Sequence, residues 1–173
     1  MPSQRVVDFL DELQANVPAL RRYARALTRD IDRADDLVQD CLERAIGRRG
    51  LFQPRGPLRP WLFTILVNLH RNGLRAARRH GTPVDVETLP EPGIPAPQPV
   101  HLALAELARA IDTLPLDQKE ALLLVTLEGL AYTEAAAILG IPTGTLMSRL
   151  GRARATLRSL TGTPSEPHLR TVK

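Results

Sequence analysis

Apolar residues recur at helical spacing along almost the whole chain. Over residues 3–28 they fall at Val6, Val7, Leu10, Leu13, Val17, Leu20, Tyr23, Ala24 and Leu27, which predicts one helix kinked at Pro18 or two consecutive helices. Residues 28–49 place Ala34, Leu37, Val38, Cys41, Leu42, Ala45 and Ile46 on a second stripe. Acids gather at the start of that segment (Asp30, Asp32, Asp35, Asp36) and Arg44, Arg48 and Arg49 at its end, as the helix dipole favours. The opposite face carries Asp36, Gln39, Asp40 and Glu43, an acidic edge suited to solvent or to a basic partner helix. Residues 47–60 hold three Gly, three Pro and four Arg, and read as a loop. A strong helix follows over residues 61–80, with Leu62, Ile65, Leu66 and Leu69 inward and Thr64, Asn68, Arg71 and Arg75 outward, Asn72 at the edge.

The period then stops. Residues 81–100 contain six of the fifteen prolines and little to pack, so they read as an extended linker between two domains. A second helical set begins near His101, with Leu102, Leu104, Ala105, Leu107, Ala108 and Ile111 as its apolar positions. Asp117 and Glu120 form a capping-box-like pair opening a helix through Leu122–Leu124, Val125 and Leu127 that Gly129 closes. Residues 133–139 read as a short helix stopped by Gly140, and Pro142 is preset for the first turn of the next. In residues 140–160, Leu146, Leu150, Ala153, Leu157 and Leu160 share one stripe. Thr145, Ser148, Arg149, Arg152, Thr156 and Ser159 share the other, with no carboxylate among them. Helix, glycine turn and basic helix make a helix-turn-helix, whose polar face suits phosphates and base edges. Arg154 and Arg158 lie towards its flank. Residues 161–173 are expected to be a disordered tail.

Charge sharpens this picture. The chain of 173 residues has a formal net charge of only +4, but residues 47–80 contain eight Arg and no acid, and residues 142–160 four Arg and no acid. Acidic stretches separate the two, so the pattern predicts two distinct polyanion contacts rather than a uniformly basic surface. Aromatics make up 3%, so the cores are aliphatic; Phe52, Trp61 and Phe63 read as core rather than base-stacking platforms. Cys41 reads as a small buried residue, and the four His lack metal-ligand spacing, so no metal site or cofactor is expected. There is no apolar run near 18 residues and no secretory leader, which predicts a cytoplasmic protein without membrane insertion. No phosphate-binding glycine loop or nucleophile–base pairing points to an enzyme or a small-molecule substrate.

Three segments together carry a family resemblance over residues 5–160. LRRYARALTRDIDRADDLVQDCLERA resembles regions 2.1 to 2.2 of the bacterial sigma-70 family, and LRPWLFTILVNLHRNGLR resembles regions 2.3 to 2.4. LPLDQKEALLLVTLEGLAYTEAAAILGIPTGTLMSRLGRARATL resembles region 4, and the compact size matches the extracytoplasmic-function (ECF) group. The resemblance implies an all-α protein: a region 2 helical bundle over residues 1–80, a Pro-rich linker over 81–100 and a region 4 helix-turn-helix domain over 101–160. It implies that Asp35, Asp36, Leu37, Gln39 and Asp40 bind the clamp helices of the RNA polymerase core, with the polymerase flap as a further contact. Leu37 and Val38 are at least partly structural. It implies that the 47–60 loop, through Arg55 and Arg59, and the face of Asn68, Arg71, Asn72 and Arg75 capture the promoter −10 element and help melt it. Thr145, Ser148, Arg149 and Arg152 would enter the −35 major groove. An anti-sigma factor as partner and a role in a stress or envelope response are implied in the same way. Ala131 departs from the family where relatives often have a Ser or Thr cap, so that either Thr133 caps one turn later or the helix start frays. Met147 and Gly151 depart where some relatives carry longer side chains.

The rival reading is a helix-turn-helix regulator that never joins the polymerase. It accounts for residues 101–160 equally well, but leaves the acid-free block of residues 47–80 and the acidic edge of DDLVQD unexplained.

Overall fold

The computed structural model describes residues 4–52, 56–79 and 99–162. Among these the chain is helical. The N-terminal domain comprises α1 (Gln4–Thr28), α2 (Ile31–Gly47), a single 3-10 turn (Arg49–Leu51) and α3 (Leu58–Arg79). The C-terminal domain comprises α4 (Pro99–Asp112), α5 (Leu116–Leu122) and its π-helical continuation (Leu123–Leu127), α6 (Tyr132–Leu139) and α7 (Thr143–Thr161). The expected linker and tail lie mostly outside the described residues.

Residues 4–28 form one helix despite Pro18. Arg29 ends it at φ 60°, a left-handed conformation uncommon for a residue with a Cβ, and Asp30 then caps α2 by accepting from the Arg33 N–H. Helix α3 starts three residues earlier than the sequence suggests, with Pro60 inside its first turn, where a missing N–H costs nothing. Its first N–H, on Leu58, donates at 3.1 Å to the Glu12 carboxylate of α1. Glu12 thus acts as a cap from 46 residues away, a role no local pattern signals.

The three N-terminal helices close on Leu13, Leu20, Tyr23, Ala34, Leu62 and Leu66, among others. Tyr23 and Phe63 meet edge to face at 5.3 Å, both fully buried, and half-buried Phe52 and Trp61 meet at a 46° tilt on the flank, 5.4 Å apart. Cys41 lies within this core as expected, and burial pushes its thiol up to about 12. Leu10 and Ile46 are exposed; Phe9 takes the inward position in the second turn of α1.

In the C-terminal domain the glycine stop is as expected: Gly140 sits at φ 67° and ends α6. Pro142 is the residue before α7 rather than inside its first turn, and its carbonyl accepts from Thr145 and Leu146. At the other end of α6 the helix begins at Tyr132, not one turn later. With no hydroxyl on Ala131, the Glu134 carboxylate reaches back to the Ala131 N–H at 3.1 Å. The proposed Asp117–Glu120 capping pair does not form: α5 starts after Pro115, and Glu120 is drawn away by a cation from the other domain. Beyond Leu122 the backbone loosens into a π turn before Gly129 reverses it at φ 66°. The α7 stripe is buried at Leu146, Leu150 and Ala153, half-buried at Leu157 and exposed at Leu160. Leu104 and Leu107 of α4, expected inside, are also exposed.

The two domains are packed together. Helix α3 lies against α6, the π turn against α1, and the buried apolar cluster runs through both domains without a break.

Candidate polymerase and nucleic-acid interfaces

The acidic edge of α2 is formed as expected. Asp36, Gln39 and Asp40 are exposed, with Gln39 donating to Glu43 at 3.0 Å one turn on. Asp35 is half-buried and pairs with Arg21 and Arg25 of α1 at 3.4 and 3.7 Å. Leu37 is 9% exposed and packs α2 against the bundle.

On α3 the outward face divides. Asn68, Asn72 and Arg75 are exposed, and Arg75 donates to the Asn72 side chain at 3.3 Å. With Arg78 and Arg79, Asn72 and Arg75 line a shallow concavity of about 510 Å³ that contains no acid. Arg71 stands about 60° round the helix from Asn68 and turns the other way. It donates from Nε and Nη2 to the Glu120 carboxylate of α5, the shortest contact being 2.6 Å, and from Nη1 to the Leu139 carbonyl at 3.3 Å. The hydrogen bond to Glu120, opposed by burial, raises the Arg71 pKa further. Arg59 is engaged in the same manner: its Nη2 meets the Glu128 carbonyl and carboxylate at 2.9 and 2.8 Å, while its guanidinium lies 5.6 Å from the Phe63 ring centre. Of the residues expected on one −10 face, three are therefore open to solvent and two are committed to the C-terminal domain. Arg55 lies outside the described residues.

The face of α7 is more open. Thr145, Ser148 and Arg152 are exposed, with the Ser148 hydroxyl resting on the Gly144 carbonyl at 3.1 Å. Arg149 is half-buried and meets Asp117 of α5 at 3.2 Å. Met147 projects into solvent at 55% exposure, which places an apolar side chain on the same surface.

A further groove of about 520 Å³ runs between α2, α3 and the start of α5, lined by Leu37, Leu69, His70, Leu74, Leu116 and Lys119, among others. Burial, with Lys119 and Arg71 adding to it, lowers the His70 pKa to about 4, and its Nδ1 finds no hydrogen-bond partner. No group of His, Cys, Asp and Glu able to hold a metal occurs among the described residues, and no described helix is long and apolar enough to cross a membrane.

Comparison with known proteins agrees domain by domain. Residues 13–67 match the family model of the Sigma2 domain of PhyR, and residues 104–157 that of sigma-70 region 4. The chain is 46% identical over 154 residues to the ECF RNA polymerase sigma factor EcfG of Rhodopseudomonas palustris (strain TIE-1), covering 87% of this chain and 83% of that protein. It is 35% identical over 143 residues to the ECF sigma factor SigM of Mycobacterium tuberculosis, covering 83% and 71%. Its structure resembles that of the sigma factor RpoE, solved with the anti-sigma factor NepR from Bartonella quintana: the TM-score is 0.76 at 37% identity, over 91% of this chain and 99% of that one. It also resembles CnrH, solved with the cytosolic domain of CnrY, with a TM-score of 0.69 at 29% identity over 95% and 92%. Two helical domains, one like region 2 and one like region 4, define a sigma factor of RNA polymerase. The chain belongs to the ECF group of the sigma-70 family, and the regulator reading gives way to it.

Proposed function

We propose that this sigma factor docks on the polymerase core through the acidic edge of α2, with Asp36, Gln39 and Asp40 as its accessible contacts and Asp35 behind them. The −10 element is held by α3, through Asn68, Arg71, Asn72 and Arg75, and by the preceding loop, through Arg55 and Arg59. The −35 element is read by Thr145, Ser148, Arg149 and Arg152 of α7. Asn and Arg side chains on one face can hydrogen-bond unpaired base edges as well as phosphate, offsetting part of the cost of unstacking the duplex. Region 4 then anchors the upstream duplex. The observation that carries this reading is the pairing of two acid-free Arg helices, one in each domain, with an exposed acidic edge on α2. Because a relative is found with the anti-sigma factor NepR, an anti-sigma protein that keeps the chain from polymerase belongs to the same reading.

Run-off transcription with purified core polymerase on genomic fragments tests it. Transcripts that depend on the added chain are expected, and they reveal the promoter as well; no transcript above core alone overturns the reading. In a core pull-down, Asp36→Ala and Gln39→Ala should each reduce retention while leaving duplex DNA binding unchanged.

A further inference from the structure

Met147 is the exception on the polar face of α7. It is 55% exposed, while Leu146 and Leu150 beside it are buried and hold the helix to its domain. On a helix the surface neighbours of a residue lie three and four positions away. On the outward side of Met147 these are Gly144 and Gly151, and an added Cβ at either would meet nothing within 4 Å. The thioether therefore stands with a glycine before and after it on the solvent side. A helical side chain leans towards the helix start, so Met147 reaches over Gly144. That is the end of a recognition helix that meets base edges in the major groove. Exposed Ser148 lies next to it, and its own row continues down the helix as the exposed cations Arg154 and Arg158.

A lone apolar residue on a surface needs no explanation in general. Met147 differs in what its helix has to face. Building on the assignment of α7 to the −35 duplex, we propose that Met147 reads a 5-methyl group in that element, carried by thymine, through apolar contact. The major groove displays hydrogen-bond donors and acceptors and one apolar group, the methyl on thymine C5. Methionine has no N–H or O–H to donate and its sulfur is a weak acceptor, so it is a poor match for the polar edges that Ser148 and Arg152 can satisfy. Its unbranched, polarisable chain suits a methyl group. Beside an unmethylated cytosine the same side chain would cover the N4 amino group without a strong acceptor to offer, leaving a donor unmet. The residue thus selects for thymine twice, by gaining a methyl contact and by penalising the alternative pyrimidine.

The contact is tested with the full chain bound to core polymerase, on duplexes carrying the −35 element mapped by run-off transcription. Each thymine of the element is replaced in turn by deoxyuridine, which removes the methyl group and keeps the pairing. At one position the replacement should weaken binding of the wild-type holoenzyme by about fourfold, the worth of one buried methyl group. Met147→Ala should bind the two duplexes equally, and Met147→Leu should keep most of the difference because it keeps an apolar tip. The side chain is exposed, so neither change disturbs the core. In a second arm 5-methylcytosine replaces each cytosine. Tighter binding there by wild type, absent in Met147→Ala, supports the same contact made to a methylated cytosine. An equal uracil penalty in wild type and Met147→Ala overturns the proposal, as does indifference of the wild type to methyl groups in both arms. A duplex with a scrambled −35 element tells this failure from failure of the α7 assignment. If the scrambled duplex binds as well as the intact one, the assignment falls and the methyl contact with it. If it binds more weakly while Met147→Ala responds to methyl removal as wild type does, only the methyl contact falls.

Discussion

Helices α3 and α7 carry similar side chains and stand in opposite electrostatic states. On α7 the polar face looks outward, with Arg152 exposed and Arg149 only leaning on Asp117 at the domain's own edge. On α3 the cations nearest the C-terminal domain are already neutralised, Arg71 by Glu120 and Arg59 by Glu128, while Asn72 and Arg75 remain free for solvent. The same sequence pattern, an acid-free run of arginines on a helix, thus yields one ready surface and one guarded surface. What separates them is the neighbour: α7 packs against α4, α5 and α6 of its own domain, whereas α3 lies on the seam along which the domains meet.

The strongest way to probe that comparison is to ask whether the two domains unfold as one. Leu66 and Leu146 are fully buried in different domains but in one continuous apolar cluster, so Leu66→Ala and Leu146→Ala should each cost about 2–5 kcal/mol. Both should lower the same single calorimetric transition; two transitions, each moved by one variant only, would break the picture of a shared core. A smaller effect is expected at the exposed end of the comparison. Arg152→Ala should weaken binding to a −35 duplex by about 10–100-fold, the usual worth of a base-edge contact, with core association intact. Arg71→Ala, lost from a guarded position, should leave binding of a single-stranded −10 DNA by the free chain nearly unchanged. Equal losses for the two in a fluorescence anisotropy titration would erase the distinction between the faces.

Acid provides a gentler probe of the seam. The folded-state pKa of His70 is about 4, below the ordinary 6.5 of a histidine, so the unfolded chain takes up the proton first as pH falls. Its contribution to stability is complete above pH 6.5 and is lost progressively down to pH 4. The Tm of the wild-type chain should therefore fall more steeply over that window than that of His70→Gln, and parallel curves would show that His70 titrates normally. The smallest effect concerns α7 itself. Nothing lies within 4 Å of a Cβ added at Gly151, so Gly151→Ala should stabilise the helix by about 0.5–1 kcal/mol. If the same variant also weakens −35 binding, the α7 backbone approaches DNA at that point; if it does not, Gly151 is only a weak spot in an otherwise regular helix.

Most helices and the helix-turn-helix were legible because their signals are local. Gly140 ends α6 at positive φ, acids open α2 with Asp32 in its first turn, and Leu146, Leu150 and Ala153 repeat at the helical period. The misreadings share a cause. Leu160, Leu104 and Leu107 are apolar at the correct spacing yet exposed, since periodicity reports a face and not whether a partner covers it. Glu120 satisfies a capping spacing with Asp117 and instead serves Arg71, 49 residues away, because a guanidinium is a stronger partner for a carboxylate than a single backbone N–H. Glu12 on α3 and Glu134 on α6 were missed as caps for the complementary reason, the first reaching its target from another helix and the second replacing a hydroxyl that Ala131 lacks.

The sequence by itself determined the helices, the two-domain order, the acid-free arginine faces and the acidic edge of α2, all of which follow from residue type and spacing along a single helix. Only the tertiary structure decided which of those arginines are available. Charge is a property of a residue, but the partner that neutralises it is a property of the fold: Glu120 and Glu128 sit in an acidic stretch far from α3 in sequence and reach it only when the domains close.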